Sequence, residues 1–209
     1  MSRQTTPIRR ALLGATLGLS LLLGGCASVY LVDNQVQSFA RWTGASAPTA
    51  PQAYRFERLP SQREGRAAAS QDELESLTRA ALARAGWNLA EPAGAAPWTV
   101  QVSGGALKLP RAPWEEPWDG FGGGWGLYGG SGVWGSTLFM RMDIPYYERQ
   151  VSLVVRQAAT GQVVYETSAR HDGRWNSSPE LWSAMLDAAL RDFPNPPTGA
   201  RQVNIEVPR

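Results

Sequence analysis

The chain has 209 residues, 43% of them apolar and 18% charged, which is enough for one hydrophobic core and too little charge for a disordered chain. Three of its 20 basic residues (Arg3, Arg9 and Arg10) lie in a leader, so the mature chain sets 17 against 18 acidic residues and offers no basic footprint for nucleic acid. A single cysteine excludes an intrachain disulfide or a cysteine-rich zinc site, and a single histidine, His171, leaves little scope for histidine-based metal or relay chemistry.

Residues 1–25 read as a secretory signal peptide. Arg3, Arg9 and Arg10 form a positive start, and Ala11 to Leu23 is an uncharged, mostly apolar run. That run is shorter than the roughly 20 residues a spanning helix needs. It ends in Leu23-Gly24-Gly25-Cys26, which resembles the lipobox of bacterial lipoproteins. There a peptidase cuts before the cysteine, which requires small side chains at the scissile bond, and the thiol carries a diacylglycerol. The bland alternative is a secreted protein with a stray cysteine. The Arg9-Arg10 pair reads as plain positive charge rather than a twin-arginine signal. The expectation is a lipidated Cys26 and a protein tethered to a membrane without crossing it, since two or three acyl chains exceed what stable anchoring needs. By resemblance to sorting in enteric bacteria, Ala27, where an aspartate would retain the protein, implies delivery to the outer membrane, on its periplasmic face. An arginine-rich chain with Lys108 as its one lysine fits a Gram-negative source.

In the mature chain, Asp33 to Trp42 and Tyr54 to Leu59 are expected strands, separated by an Ala/Pro/Ser loop. In the second, Tyr54, Phe56 and Arg58 share one face. Ser70 to Ala85 reads as a helix, with a capping box from Ser70 to Glu73 and Gly86 as its stop. Leu74, Leu77, Ala81, Leu82 and Ala85 form its apolar face, and Glu75 pairs with Arg79 outside it. Trp98 to Ser103 alternates as a strand, and Arg149 to Gln157 with Gln162 to Arg170 forms a hairpin around Gly161. A second helix runs from about Pro179 to Asp192, capped by Ser177 or Ser178 and stopped by Pro194. Its stripe is Leu181, Trp182, Met185, Leu186, Ala189, Leu190 and Phe193. Gln202 to Val207 is a last strand. Two helices with one apolar face each, among strands, predict an α+β two-layer domain: a mostly antiparallel sheet with both helices on one face.

Residues 110–147 break the pattern and read as an insertion. Nine of the 17 residues from Asp119 to Gly135 are glycine, interleaved with aromatics. Trp114, Trp118, Phe121, Trp125, Tyr128 and Trp134 form a candidate interaction surface for lipid, glycan or protein, against the bland reading of a low-complexity loop. The formal G-x-G-x-x-G at Gly124 to Gly129 neither follows a strand nor opens a helix, so it is a product of composition. His171 beside Asp172 reads as a histidine at a strand end, with no nucleophile elbow in the chain. Glu115, Glu116 and Asp119 sit in the glycine-rich segment, a poor frame for a carboxylate pair, and read as solvated charge. No catalytic residue, no metal ligand set and no cofactor is expected.

In this order of elements the chain resembles the bacterial lipoprotein family of domain of unknown function 4136. The resemblance is carried by the strand Val32 to Phe39, by Tyr54-Arg55-Phe56-Glu57-Arg58-Leu59-Pro60-Ser61, and by Leu74 to Ala85 followed by Gly86-Trp87. It continues through the glycine-rich segment, Thr160-Gly161 with Val163-Val164-Tyr165, and Asp192-Phe193-Pro194. Tyr165 stands where the family commonly has tryptophan. The resemblance implies an α+β envelope lipoprotein and no established activity, so no site residues carry over. The resulting expectation is a non-enzymatic outer-membrane lipoprotein with a structural, assembly or interaction role, its partners the membrane through Cys26 and an envelope protein. A periplasmic module binding a glycan, lipid or peptide is the rival reading, and an envelope hydrolase a remote one.

Overall fold

A computed structural model describes residues 29–42, 47–92, 96–109, 112–113, 145–174 and 178–208. Among them are seven strands and two helices: β1 (Val29–Ala40), β2 (Gln52–Phe56), α1 (Gly65–Arg84), β3 (Trp87–Leu89), β4 (Trp98–Leu109), β5 (Tyr146–Gln157), β6 (Val163–Gly173), α2 (Pro179–Ala189) and β7 (Arg201–Pro208). The strands form one sheet in the order β3-β2-β4-β5-β6-β1-β7. β2 runs parallel to β3 and β4, and every other neighbouring pair is antiparallel. This is the expected α+β architecture, with both helices on one face of a mostly antiparallel sheet.

The period-two pattern of the strands sets the inner face. Val32 and Val36 of β1, Val100 and Val102 of β4, Val151, Leu153 and Val155 of β5 and Ala169 of β6 are all buried. A bulge lets Val155 pair with Tyr165 while Arg156 pairs with Val163, so both Val164 and Tyr165 become buried. Leu181, Met185 and Leu186 of α2 are buried against this face, with Leu190 just beyond its end, while Trp182 is half-buried. Ser178 is the cap of α2, accepting from the Leu181 N–H at 3.3 Å. At one end of the sheet Trp42, Trp87, Trp98, Tyr165 and Phe193 close an aromatic cluster with ring centroids 4.8–6.1 Å apart. Its polar edges are satisfied: Trp42 Nε1 donates to Pro194 O and Trp98 Nε1 to Gln52 Oε1, both at 2.9 Å.

Several sequence expectations are corrected. α1 begins at Gly65, behind Glu64, so Ser70 is an exposed interior residue and the Ser70–Glu73 capping box does not form. Arg66 and the alanines at 67–69 carry the helix upstream, because strong helix formers extend a helix past a possible cap. Gln71, Glu75, Thr78 and Leu82 define the buried side of α1, with Ala81 beside them, whereas Leu74, Leu77 and Ala85 flank it half-exposed. Glu75 pairs with Arg58 rather than Arg79, its Oε1 2.7 Å from Arg58 Nε. β2 stops at Phe56, short of Leu59, because the chain turns into a short 3₁₀ segment at Pro60–Gln62. β3 was not foreseen, being only three residues long and held by pairing with β2.

β4 continues past Ser103 to Leu109, up to the expected start of the insertion, and β5 begins at Tyr146 rather than Arg149, which shortens the insertion at its C-terminal end. The two strands pair over their full length, so partnership overrides the glycines at 104 and 105. Gly104 has a packing reason: a Cβ there would stand 3.1 Å from Leu74 Cδ2 of α1 and 3.4 Å from Trp182 Cζ3 of α2. The two helices meet over that bare backbone.

Candidate functional site

The strand directions gather several features at one end of the sheet. β1 starts there at Val29, opposite Pro208 of β7, and β4 leaves it at Leu109, opposite Tyr146 of β5. β6 ends there too, with Gly173 opposite Tyr147. The chain therefore enters β1 three residues after Cys26 at the same end from which residues 110–144 depart. The lipidation residue Cys26, the flanking Leu23, Gly24 and Gly25, and the aromatics Trp114, Trp118, Phe121, Trp125, Tyr128 and Trp134 all lie outside the described residues. So do Glu115, Glu116 and Asp119 and the glycine motif at Gly124 to Gly129.

The inner face of this end is polar. The alternation that buries Val32 and Val36 also buries Asn34, and the one that buries Val151 and Leu153 also buries Arg149. His171 continues the inward series Thr167, Ala169 on β6 and is the register partner of Arg149. Its Nδ1 donates to the backbone oxygen of Asp33 at 2.7 Å and stands 3.1 Å from the Asp33 carboxylate. A carbonyl only accepts, so Nδ1 is the donor of this bond, and Nε2 stands 3.5 Å from Tyr30 Oη. The imidazole thus staples β6 to β1. Asp172 points to the opposite face, where its carboxylate accepts from Tyr146 Oη. Period-two geometry turns adjacent His171 and Asp172 to opposite faces.

Arg149 packs its guanidinium over the Tyr147 ring, 5.2 Å from the centroid, and burial lowers its basicity. Asn34 Nδ2 donates to Val32 O at 3.0 Å and to Val203 O at 3.2 Å, tying β1 to β7. The strand pattern carried a signal for both residues: Asn34 lies between inward Val32 and Val36, and Arg149 precedes inward Val151 and Leu153. Among the described residues no group of three His, Cys, Asp or Glu side chains is placed to hold a metal. No described helix is long and apolar enough to cross a membrane.

Two concavities run along β7, and another of about 500 Å³ lies where the last residues of β1 meet the first of β6. A groove of about 910 Å³ is lined by Ala81, Arg84, Asp187, Leu190, Arg191 and Ile205, among others. A second of about 360 Å³ continues beside Leu77, Ser183, Ala184 and Val207, and shares Asp187, Ile205 and Glu206 with the first. An ion pair between Arg84 of α1 and Asp187 of α2 crosses the wall between the helices.

No curated protein matches the sequence. Among solved structures, a PDZ domain protein from Parabacteroides distasonis superposes with a TM-score of 0.52 at 11% identity. The match covers 94% of this chain and spans 42% of that protein's length, and it shows likeness of fold alone. A PelC dodecamer from Paraburkholderia phytofirmans superposes with a TM-score of 0.45 at 10% identity, over 78% of this chain and 99% of that one. The family model described as domain of unknown function (DUF4136) matches residues 36–195, from the middle of β1 past the end of α2, and the chain belongs to that family.

Proposed function

We propose that the protein is a lipid-anchored lipoprotein of the outer membrane, facing the periplasm, with a non-catalytic assembly or interaction role. The observation that carries the reading is the shared sheet end. Val29, where β1 begins, and Leu109 and Tyr146, which flank the tryptophan-rich segment, lie at the same end of the sheet, with β6 between β1 and β5. A lipid on Cys26 would hold that end at the bilayer surface. The glycine-spaced aromatics would then stand where amphipathic rings are favoured, at the headgroup level or against a neighbouring envelope protein. The imidazole of His171, with its Nδ1 proton committed to Asp33, serves the β1–β6 contact in this reading.

Metabolic labelling with a fatty-acid analogue tests the anchor. Label on wild type and none on Cys26→Ser, together with loss of the protein from the outer-membrane fraction, is the expected result. A labelled Cys26→Ser protein refutes it. The rival reading, a ligand-binding module, draws on the 910 Å³ groove.

A further inference from the structure

β1 runs on past the start of β7. β7 begins at Arg201, opposite Val36, and beside the next residues of β1 stand residues 196–199, outside any strand, with a cleft of about 500 Å³ between. Phe39 and Glu166, register partners on β1 and β6, line it together with Arg41, Pro196 and Pro197. Phe39 is 58% exposed, so its ring is presented to solvent rather than to the core. Alternation explains this. The even positions of β1 from Val32 to Ser38 are buried, and the odd ones face the other side of the sheet, away from both helices.

On that outer face the registers set side chains in rows. Next to Phe39 and Glu166 runs Gln37–Ser168–Ser152–Ser103, across β1, β6, β5 and β4. The following row is Gln202–Gln35–Arg170–Gln150, across β7, β1, β6 and β5. All eight side chains are exposed or half-exposed, and all but Arg170 are uncharged amides or hydroxyls. Some are already joined: Arg170 Nε donates to Gln150 Oε1 and Gln150 Nε2 to Ser152 Oγ, both at 3.2 Å. These rows hold donors and acceptors in a fixed array. They supply no contiguous apolar patch for a lipid or a protein core, and one arginine is no footprint for a polyanion.

We propose that the cleft and the two rows bind an extended, β-linked polysaccharide strand of the envelope. One sugar ring stacks its C–H face on Phe39, and Glu166 and Arg41 bond its hydroxyls. The strand continues across the rows, whose amides and hydroxyls meet the hydroxyl and acetamido groups of further sugars. Adjacent β-strands lie about 4.8 Å apart, close to the length of one sugar in such a chain, so successive sugars fall on successive strands. Phe39 stands ten residues along β1 from Val29, about 33 Å at strand rise. With the Val29 end held at the bilayer, the cleft is carried away from the membrane, to where a periplasmic glycan lies. In this last respect the proposal rests on the lipoprotein reading, which it deepens by naming the chemistry of the partner.

Isothermal titration of the full-length lipoprotein, in a detergent without a sugar headgroup, tests it with the β-1,4-linked tetramers of glucose and of N-acetylglucosamine. At least one tetramer should bind, at least about tenfold more weakly to Phe39→Ala and with little change to Phe39→Tyr, which keeps the ring. Gln37→Ala, in the neighbouring row, should weaken binding severalfold, and it carries the test if Phe39→Ala does not fold. Binding of neither tetramer overturns the proposal, as does binding that both alanine variants leave unchanged. A wild-type dimer that Phe39→Ala dissociates also overturns it, since the occupant is then a second copy. The titration uses free sugars and is indifferent to lipid on Cys26, so its failure and that of the labelling experiment are read separately.

Discussion

Arg58, beyond the end of β2, closes a two-pronged ion pair on Glu75 in the middle of α1, with Nε to Oε1 and Nη2 to Oε2 both at 2.7 Å. The same guanidinium reaches Asp72 at 2.5 Å, and these carboxylates hold Arg58 above its ordinary basicity. Glu75 is nearly buried and also accepts from Gln71 Nε2 at 3.0 Å, so its carboxylate ties α1 to the segment after β2, while Gln71 reaches the sheet through Val102 O. Glu75→Ala removes this acceptor and leaves Gln71 short of a partner. It should cost about 1.5–3 kcal/mol, measured by urea unfolding, with Glu75→Gln costing less because a neutral acceptor remains.

The two helix starts give opposite expectations for the same change. Ser178→Ala should lower stability by about 1 kcal/mol, because the Leu181 N–H loses its acceptor. Ser70→Ala, inside α1 and exposed, should change stability by less than about 0.5 kcal/mol or raise it slightly. Thermal melts of the two variants side by side decide the matter. An equal loss at both would mean that α1 starts at Ser70.

Leu186 is fully buried beneath α2. Leu186→Ala should cost about 2–5 kcal/mol, the range depending on how far the sheet collapses into the space. A melting temperature equal to that of wild type would remove α2 from the core.

Gly86 ends α1 with φ near 78°, and a Cβ there would stand 2.7 Å from the Ala50 Cβ. Gly86→Ala therefore combines a left-handed backbone with a clash and should destabilise by more than about 1 kcal/mol. The same assay reads it.

Leu109 and Tyr146 are register partners on neighbouring strands, so the strand ends that bracket the deleted stretch are about 5 Å apart. Deleting residues 114–134 with a short Gly/Ser bridge should leave the melting temperature within a few degrees of wild type, since closure cost changes slowly with loop length. Membrane pull-downs should show weaker association. An unfolded deletion would make those tryptophans core residues, and unchanged association would remove them from the interaction surface.

The sequence by itself determined the elements whose signal is local. α2 was legible with its stripe, its Ser178 cap and its stop before Pro194, since periodicity and capping act within a turn or two. The β5–β6 hairpin was legible because alternating valines flank a glycine at positive φ, Gly161. Tertiary structure alone decided what depends on partners distant in the chain. β3 exists because β2 lies beside it, and β4 runs on through two glycines because β5 pairs with it throughout. Glu75 was read as a surface residue of its own helix, and Arg58, 17 residues earlier, draws it inward. His171 takes Asp33, 138 residues away, over adjacent Asp172, because neighbours on a strand face opposite ways. β7 belongs to the same class. Alternation marked it as a strand, but which of its backbone groups face outward follows from the register of β1, a relation between two strands at opposite ends of the chain.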